Sequence, residues 1–201
     1  MLKMIKGVKI DDSDKLNEEY MITENCIIAN INANKILNLI NDFINIQKDP
    51  LFLIIEVPSN EKNEIIEENI IKKFHKDVYY LDNMSKQFAK ELIKTFGNLF
   101  INDGLSQIGI GNHISNAEII TDKYNVIEIF NGKDKIEKYE KLMDKHKIKI
   151  VEDLVTAWDF FSDSNQGECN RVDEDGKSVY DAIEVLTKEA GLYFAERRED
   201  W

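Results

Sequence analysis

The stretch Gly97-Asn-Leu-Phe-Ile-Asn-Asp-Gly-Leu-Ser-Gln-Ile-Gly-Ile-Gly-Asn-His113 decides how this chain is read. Asp103-Gly104 stands between two short apolar alternations, and Asp-Gly supplies the two positive-φ positions of a two-residue type I′ turn. The stretch therefore predicts a β-hairpin over 97–113. Pairing outward from the turn sets Ile101 opposite Ser106 and Leu99 opposite Ile108, and directly facing residues share a side. One face is then Leu99, Ile101, Ile108 and Ile110. The other carries Phe100, Asn102, Leu105, Gln107, Gly109, Gly111 and His113, so it lacks two side chains and bears several polar groups.

The flanking segments have their own periods. Ala33–Gln47 places Ile36, Leu37, Ile40, Phe43 and Ile44 on one helix face, and Asp49-Pro50 ends it, because a residue preceding proline is pushed out of the helical region. Leu51–Val57 is an almost unbroken apolar run, the pattern of a strand covered on both faces. Ser85 caps a helix that buries Phe88, Ala89, Leu92, Ile93 and Phe96, with Gly97 at its C′ position. Cys26–Ile31, Asp77–Asp82 and Tyr124–Phe130 read as strands, and residues 2–10 as a loose edge strand. Ile65, Ile66, Ile70 and Phe74 match a helix over Glu61–Lys73. Further helices are expected over Lys133–Lys147, over Glu152–Ser162, and from the capping box Ser178-Val-Tyr-Asp181 to Gly191. The chain is expected to be one α+β domain over 1–201: a mixed sheet with the central hairpin, packed by amphipathic helices, and a helical C-terminal third.

With 201 residues, 43% of them hydrophobic, the chain can bury a substantial core. Its net charge is −12. Such a charge repels a nucleic-acid backbone unless basic residues gather on one face. They do not gather: the only arginines are Arg171, Arg197 and Arg198, and the lysines are scattered among acids. A basic protein is the partner that so negative a surface steers in fastest. Cys26 and Cys169 are too few and too far apart for a disulfide scaffold, which fits a reducing cytoplasm. No apolar signal region or membrane span is evident, so the expected location is cytoplasmic. The abundance of Ile, Asn and Lys points to an AT-rich bacterial coding sequence.

The candidate binding residues are Asn102, Gln107, Gly109, Gly111 and His113 on the hairpin, and Asp163, Glu168, Asp173 and Asp175 in an exposed acidic loop over 162–177. Strand glycines two apart leave bare backbone for close approach by a ligand, another chain or a core side chain. Gly109-Ile-Gly111 lacks the third glycine and the helix of a dinucleotide fingerprint. His113 has the chemistry of a general base or ligand, but no convergent ligand set has metal-site spacing, so no metal or other cofactor is expected. His75 and His146 read as cations at helix C-termini. Aligning Gly176 with the sixth EF-hand position puts Arg171 at the first ligand and Ala182 at the bidentate glutamate, which excludes that loop. Cys169 would be a nucleophile only beside an activating base such as His113. Trp158, Phe160, Phe161, Tyr193, Phe194 and Trp201 are expected to be mostly core, Trp201 excepted.

Four segments carry a resemblance: His75-Lys-Asp-Val-Tyr-Tyr-Leu-Asp82, Leu99–Gly111, Lys123-Tyr-Asn-Val126 and Leu154-Val-Thr-Ala-Trp-Asp-Phe-Phe161. They are similar to a functionally uncharacterised family of small acidic bacterial proteins that resembles the immunity proteins encoded beside secreted toxins. It runs from about residue 50 to the end and implies no catalytic residue. The expected function is a cytoplasmic protein-binding protein, most concretely an immunity protein that neutralises a basic toxin domain. The alternative is a small-molecule enzyme or ligand-binding protein at the glycine-stripped face, with His113 as acid/base and Gln107 and Asn102 orienting the substrate. That alternative requires a concave pocket beside the glycines.

Overall fold

The computed structural model describes residues 2–11, 13–59, 65–67, 70–162 and 167–200. In chain order the elements are β1 (Val8–Lys9), β2 (Glu19–Ile22), β3 (Cys26–Asn30), α1 (Ala33–Ile46), β4 (Leu51–Pro58), β5 (Ile65–Glu67), β6 (Ile70–Met84) and α2 (Lys86–Asn102). There follow β7 (Gln107–Asn112), β8 (Ala117–Thr121), β9 (Val126–Phe130), α3 (Glu137–Lys145), β10 (Lys149–Ile150), β11 (Glu168–Cys169), α4 (Val179–Ala190) and β12 (Tyr193–Asp200). Among the described residues the main sheet runs β10-β2-β3-β9-β8-β7-β4-β6-β12, with β5 paired to β6. It is mixed, because β10 joins β2 in parallel while its other pairs are antiparallel. The α+β class expected from the pattern is the observed one.

The hairpin over 97–113 is not formed. Ala89, Leu92, Ile93, Leu99 and Phe100 fit a single 3.6-residue stripe, and α2 runs on through Gly97 to Asn102 to bury it. Gly97 lies inside this helix, where a Cβ would stand 2.8 Å from Leu37 Cδ2 of α1, so its role is close helix packing and not termination. Asp103 stops the helix in an extended conformation at φ −75°, and its Oδ1 accepts hydrogen bonds from the backbone N–H groups of Leu105 and Ser106 at 2.9 and 2.8 Å. Gly104 serves a close approach of chains: its Cβ would sit 2.1 Å from the Gly7 carbonyl oxygen. Gly7 donates to the Asn102 carbonyl, Gly104 to that of Asn170, and Asn170 to that of Gly7. This junction ties the N-terminal segment to the end of α2 and to the acidic loop.

The true hairpin is one step later, β7 with β8, closed by the turn at residues 113–116. Leu51, Leu53, Ile55 and Val57 of β4 are fully buried, and Ile108, Ile110, Ile119, Ile127 and Ile129 share their core with α1, α2 and α3. The opposite face of β4 bears Phe52, Ile54 and Glu56, of which Ile54 and Glu56 are only half-buried. The apolar run thus reads as doubly covered, whereas the helices cover one side.

Other departures follow from tertiary pairing. Residues 65–67 and 70–73 are strand where a helix matched, and 61–64 and 68–69 lie outside the described residues. Residues 152–162 hold one short 3₁₀ turn, Ala157–Phe160, with a Thr156/Asp159 capping box. Its Trp158 is 46% exposed, and Tyr193 and Phe194 are 47% and 51% exposed, so these aromatics are not core. Trp201 lies outside the described residues. The C-terminal third holds α3 and α4 but ends in β12, an edge strand antiparallel to β6. Residues 2–10 contribute only β1, which pairs with β11 and not with the main sheet. His75 lies in β6, not at a helix end; His146 does follow α3, with Nε2 2.9 Å from Asp42 Oδ2.

Candidate functional site on the helix-free sheet face

The registers place Phe52 opposite Gly111 and Ile54 opposite Gly109 on β4–β7, and Gly111 opposite Glu118 and Gly109 opposite Ile120 on β7–β8. Side chains paired this way project together from the face without helices. At Gly111 the missing side chain is replaced by Phe52, whose Cζ lies 2.2 Å from where a Cβ would be. The Phe52 ring in turn stacks on His113, with centroids 4.4 Å apart and planes at 27°. His113 Nε2 is 2.9 Å from Asp82 Oδ1, and the Tyr193 hydroxyl donates to Asp82 Oδ2 at 2.7 Å. The His113 and Tyr193 hydrogen bonds hold the Asp82 carboxyl below its ordinary range.

At Gly109 the notch is only partly filled, with Ile120 Cγ1 3.3 Å from where a Cβ would be. The glycine floors a cavity of about 360 Å³ walled by Ile54, Ile120 and Tyr80 and ringed by Glu56, Gln107, Glu118 and Arg198. Glu118 leans across the glycine, and its Oε1 would stand 3.0 Å from a Cβ there. That oxygen is shut off from solvent and accepts no hydrogen bond among the described residues. Burial first, and the charge of Glu56 second, push the Glu118 carboxyl up to about 6. A buried acceptor without a donor carries an uncompensated desolvation cost. Glu128 on neighbouring β9 is also raised, by burial and then by Asp122.

The other polar groups form a chain. Lys76 Nζ donates to Gln107 Oε1 at 2.8 Å, and Gln107 Nε2 donates to Asp122 Oδ1 at 2.6 Å. Arg198 Nη1 donates to Glu56 Oε1 at 3.0 Å. Gln107 is therefore a rim residue with both ends of its amide engaged.

The expected site residues fall into separate places. Gln107, Gly109, Gly111 and His113 do share the helix-free face. Asn102 does not: it ends α2, where its Nδ2 donates to Glu174 Oε1 at 3.0 Å and its Oδ1 accepts from the Lys6 backbone at 3.3 Å. It cannot orient a substrate beside His113. Glu168 pairs with Lys9 at 3.3 Å beside the β1–β11 ladder, while Asp173 and Asp175 are exposed. Asp163 lies outside the described residues. Glu168, Asp173 and Asp175 do not line the Gly109 cavity. Cys169 packs near Tyr124, not His113.

Sequence alone does not place Glu56, Tyr80, Asp82, Tyr193 or Arg198 at a site, and gives Glu118 only as an acid near His113. Glu56 inside an apolar strand run and Glu118 between Ala117 and Ile119 are the local signals, but only the registers bring them together. No group of three or more metal-ligating side chains occurs among the described residues, and no helix there is long and apolar enough to cross a membrane. Searches of protein-family models, curated proteins and solved structures find no match to this chain.

Proposed function

We propose that this chain is a cytoplasmic protein-binding protein that receives a basic partner on its helix-free sheet face, in the manner of an immunity protein neutralising a basic toxin domain. The observation that carries this reading is Glu118, a carboxylate over Gly109 with a buried oxygen that has no hydrogen-bond partner among the described residues and with Glu56 close enough to raise its pKa. A lysine or arginine side chain entering the cavity would supply the missing donor and relieve the repulsion between the two acids. The net charge of −12 would speed encounter, and the apolar walls Ile54 and Ile120 would hold the stem of the entering side chain.

The test is binding to the product of the adjacent gene, measured at low and physiological salt. Glu118→Gln is expected to weaken it about thirtyfold or more, the low end of what losing one partner of a desolvated charge pair costs. No binding at low salt, or binding indifferent to Glu118, contradicts the reading. A loss confined to reversal of Asp173 and Asp175 would move the contact to the loop.

A small-molecule enzyme or ligand-binding protein is the second reading. It draws support from His113, which Asp82 and Phe52 fix in place as an acid/base would require, beside a cavity separate from the one at Gly109. Turnover sensitive to His113→Gln, in a screen of small-molecule substrates, would favour it over partner binding.

A further inference from the structure

A second cavity on the same face, about 450 Å³, is lined by Tyr80, Asp82, Asn83, His113, Tyr193 and Ala195. Half of these residues are aromatic rings. Tyr80 and Tyr193 face each other across the β6–β12 pair, their centroids 6.4 Å apart and their planes at 26°. His113 is held from beneath by Phe52. Tyr193 is 47% exposed, so its ring is accessible to a ligand.

Asp82 sets the charge of this cavity and restricts its hydrogen bonding. Each of its oxygens already has a partner, His113 on Oδ1 and Tyr193 on Oδ2. The carboxylate therefore supplies negative potential but has reduced capacity to accept further donors. Aromatic faces attract a cation without accepting conventional hydrogen bonds. A bare ammonium or guanidinium entering here would bring several N–H groups to a carboxylate on which each oxygen already has one partner. A fully alkylated nitrogen has none to satisfy.

We propose that the Tyr80/Asp82/His113/Tyr193 cavity binds a quaternary ammonium group, carried either by a free choline-like solute or by a trimethylated lysine side chain. This site requires nothing from the basic-partner reading, which rests on Glu118 and a cation with donors. The two share only the wall residue Tyr80.

The experiment is a titration of the folded protein followed through the ring resonances of Tyr193 and His113. Choline is expected to shift them saturably, and its uncharged carbon isostere 3,3-dimethyl-1-butanol about tenfold more weakly, because the isostere lacks the cation–π and carboxylate attractions. Tyr193→Leu and Asp82→Asn should each weaken choline binding about fivefold or more, while Tyr193→Phe, which keeps the ring, stays within about threefold of the parent. Tyr193 is on an exposed edge strand, so its two variants read binding and not folding. Equal response to choline and the isostere, or choline binding unmoved by both Tyr193→Leu and Asp82→Asn, overturns the proposal. Nα-acetyl-trimethyllysine amide distinguishes the sources: tighter binding than choline assigns the site to a protein side chain, and weaker binding to a free solute.

Discussion

Gly109 and Gly111 are two residues apart on one strand and face the same way, yet one notch is filled and the other only partly so. Gly111 is a packing glycine: Phe52 occupies its side-chain space and carries His113 on its other surface. Gly109 has Ile54 opposite it, an aliphatic chain half-buried at the cavity wall, and its side-chain space is narrowed by the end of Glu118 at 3.0 Å and by Ile120 Cγ1 at 3.3 Å without being filled by a ring. The cross-strand neighbour, Phe or Ile, thus decides whether a strand glycine serves architecture or leaves a site. Neither glycine has positive φ, so backbone freedom plays no part in the distinction.

Substitutions should separate the two positions. Gly111→Val drives a branched side chain into the Phe52 ring and should cost about 3 kcal/mol in denaturant unfolding, the range of severe overpacking. Combining it with Phe52→Ala should recover part of that loss, a non-additive pairing that would be absent if Gly111 were merely a flexible point. Glu118→Gln probes the partly filled position through pH. The Glu118 carboxyl titrates near 6 when folded against 4.5 as its ordinary value, so the folded state binds more protons in that window. Its contribution to stability therefore falls as pH rises from 4.5 through 6. The parent minus variant difference should decline by about 1 kcal/mol over the window, after allowance for partial exposure, and be flat above it. The smallest effect is expected at Gly109→Ala, whose Cβ would meet the movable carboxylate end of Glu118 at 3.0 Å and Ile120 Cγ1 at 3.3 Å. Its cost should stay below about 1 kcal/mol, and a larger value would erase the contrast with Gly111.

Much of the fold was legible in the chain. The α1 stripe, the Ser85 and Ser178 caps, the strand after Asp49-Pro50 and the alternating faces of β7 all follow from local pattern. The Asp103-Gly104 turn did not, because the same apolar residues before it satisfy both a period of 2 and a period of 3.6. Burial against α1 selects the helix, and Gly97 favours that choice by admitting Leu37. Gly104 carried a turn signal but is required by contact with Gly7, nearly a hundred residues earlier, which no local window contains. The face of Gln107, Gly109, Gly111 and His113 was read correctly, yet its chemistry comes from β4, β6, β8 and β12. Alternation identifies which side a residue faces, whereas register and strand order determine its neighbours there.

The most direct test of the central claim is a pH titration of the Glu118 side-chain carboxyl by carbon-detected NMR, alone and saturated with the basic partner. The account predicts a midpoint near 6 alone, falling to or below the ordinary 4.5 when a cation enters the Gly109 cavity. A midpoint that partner binding leaves unchanged would contradict it.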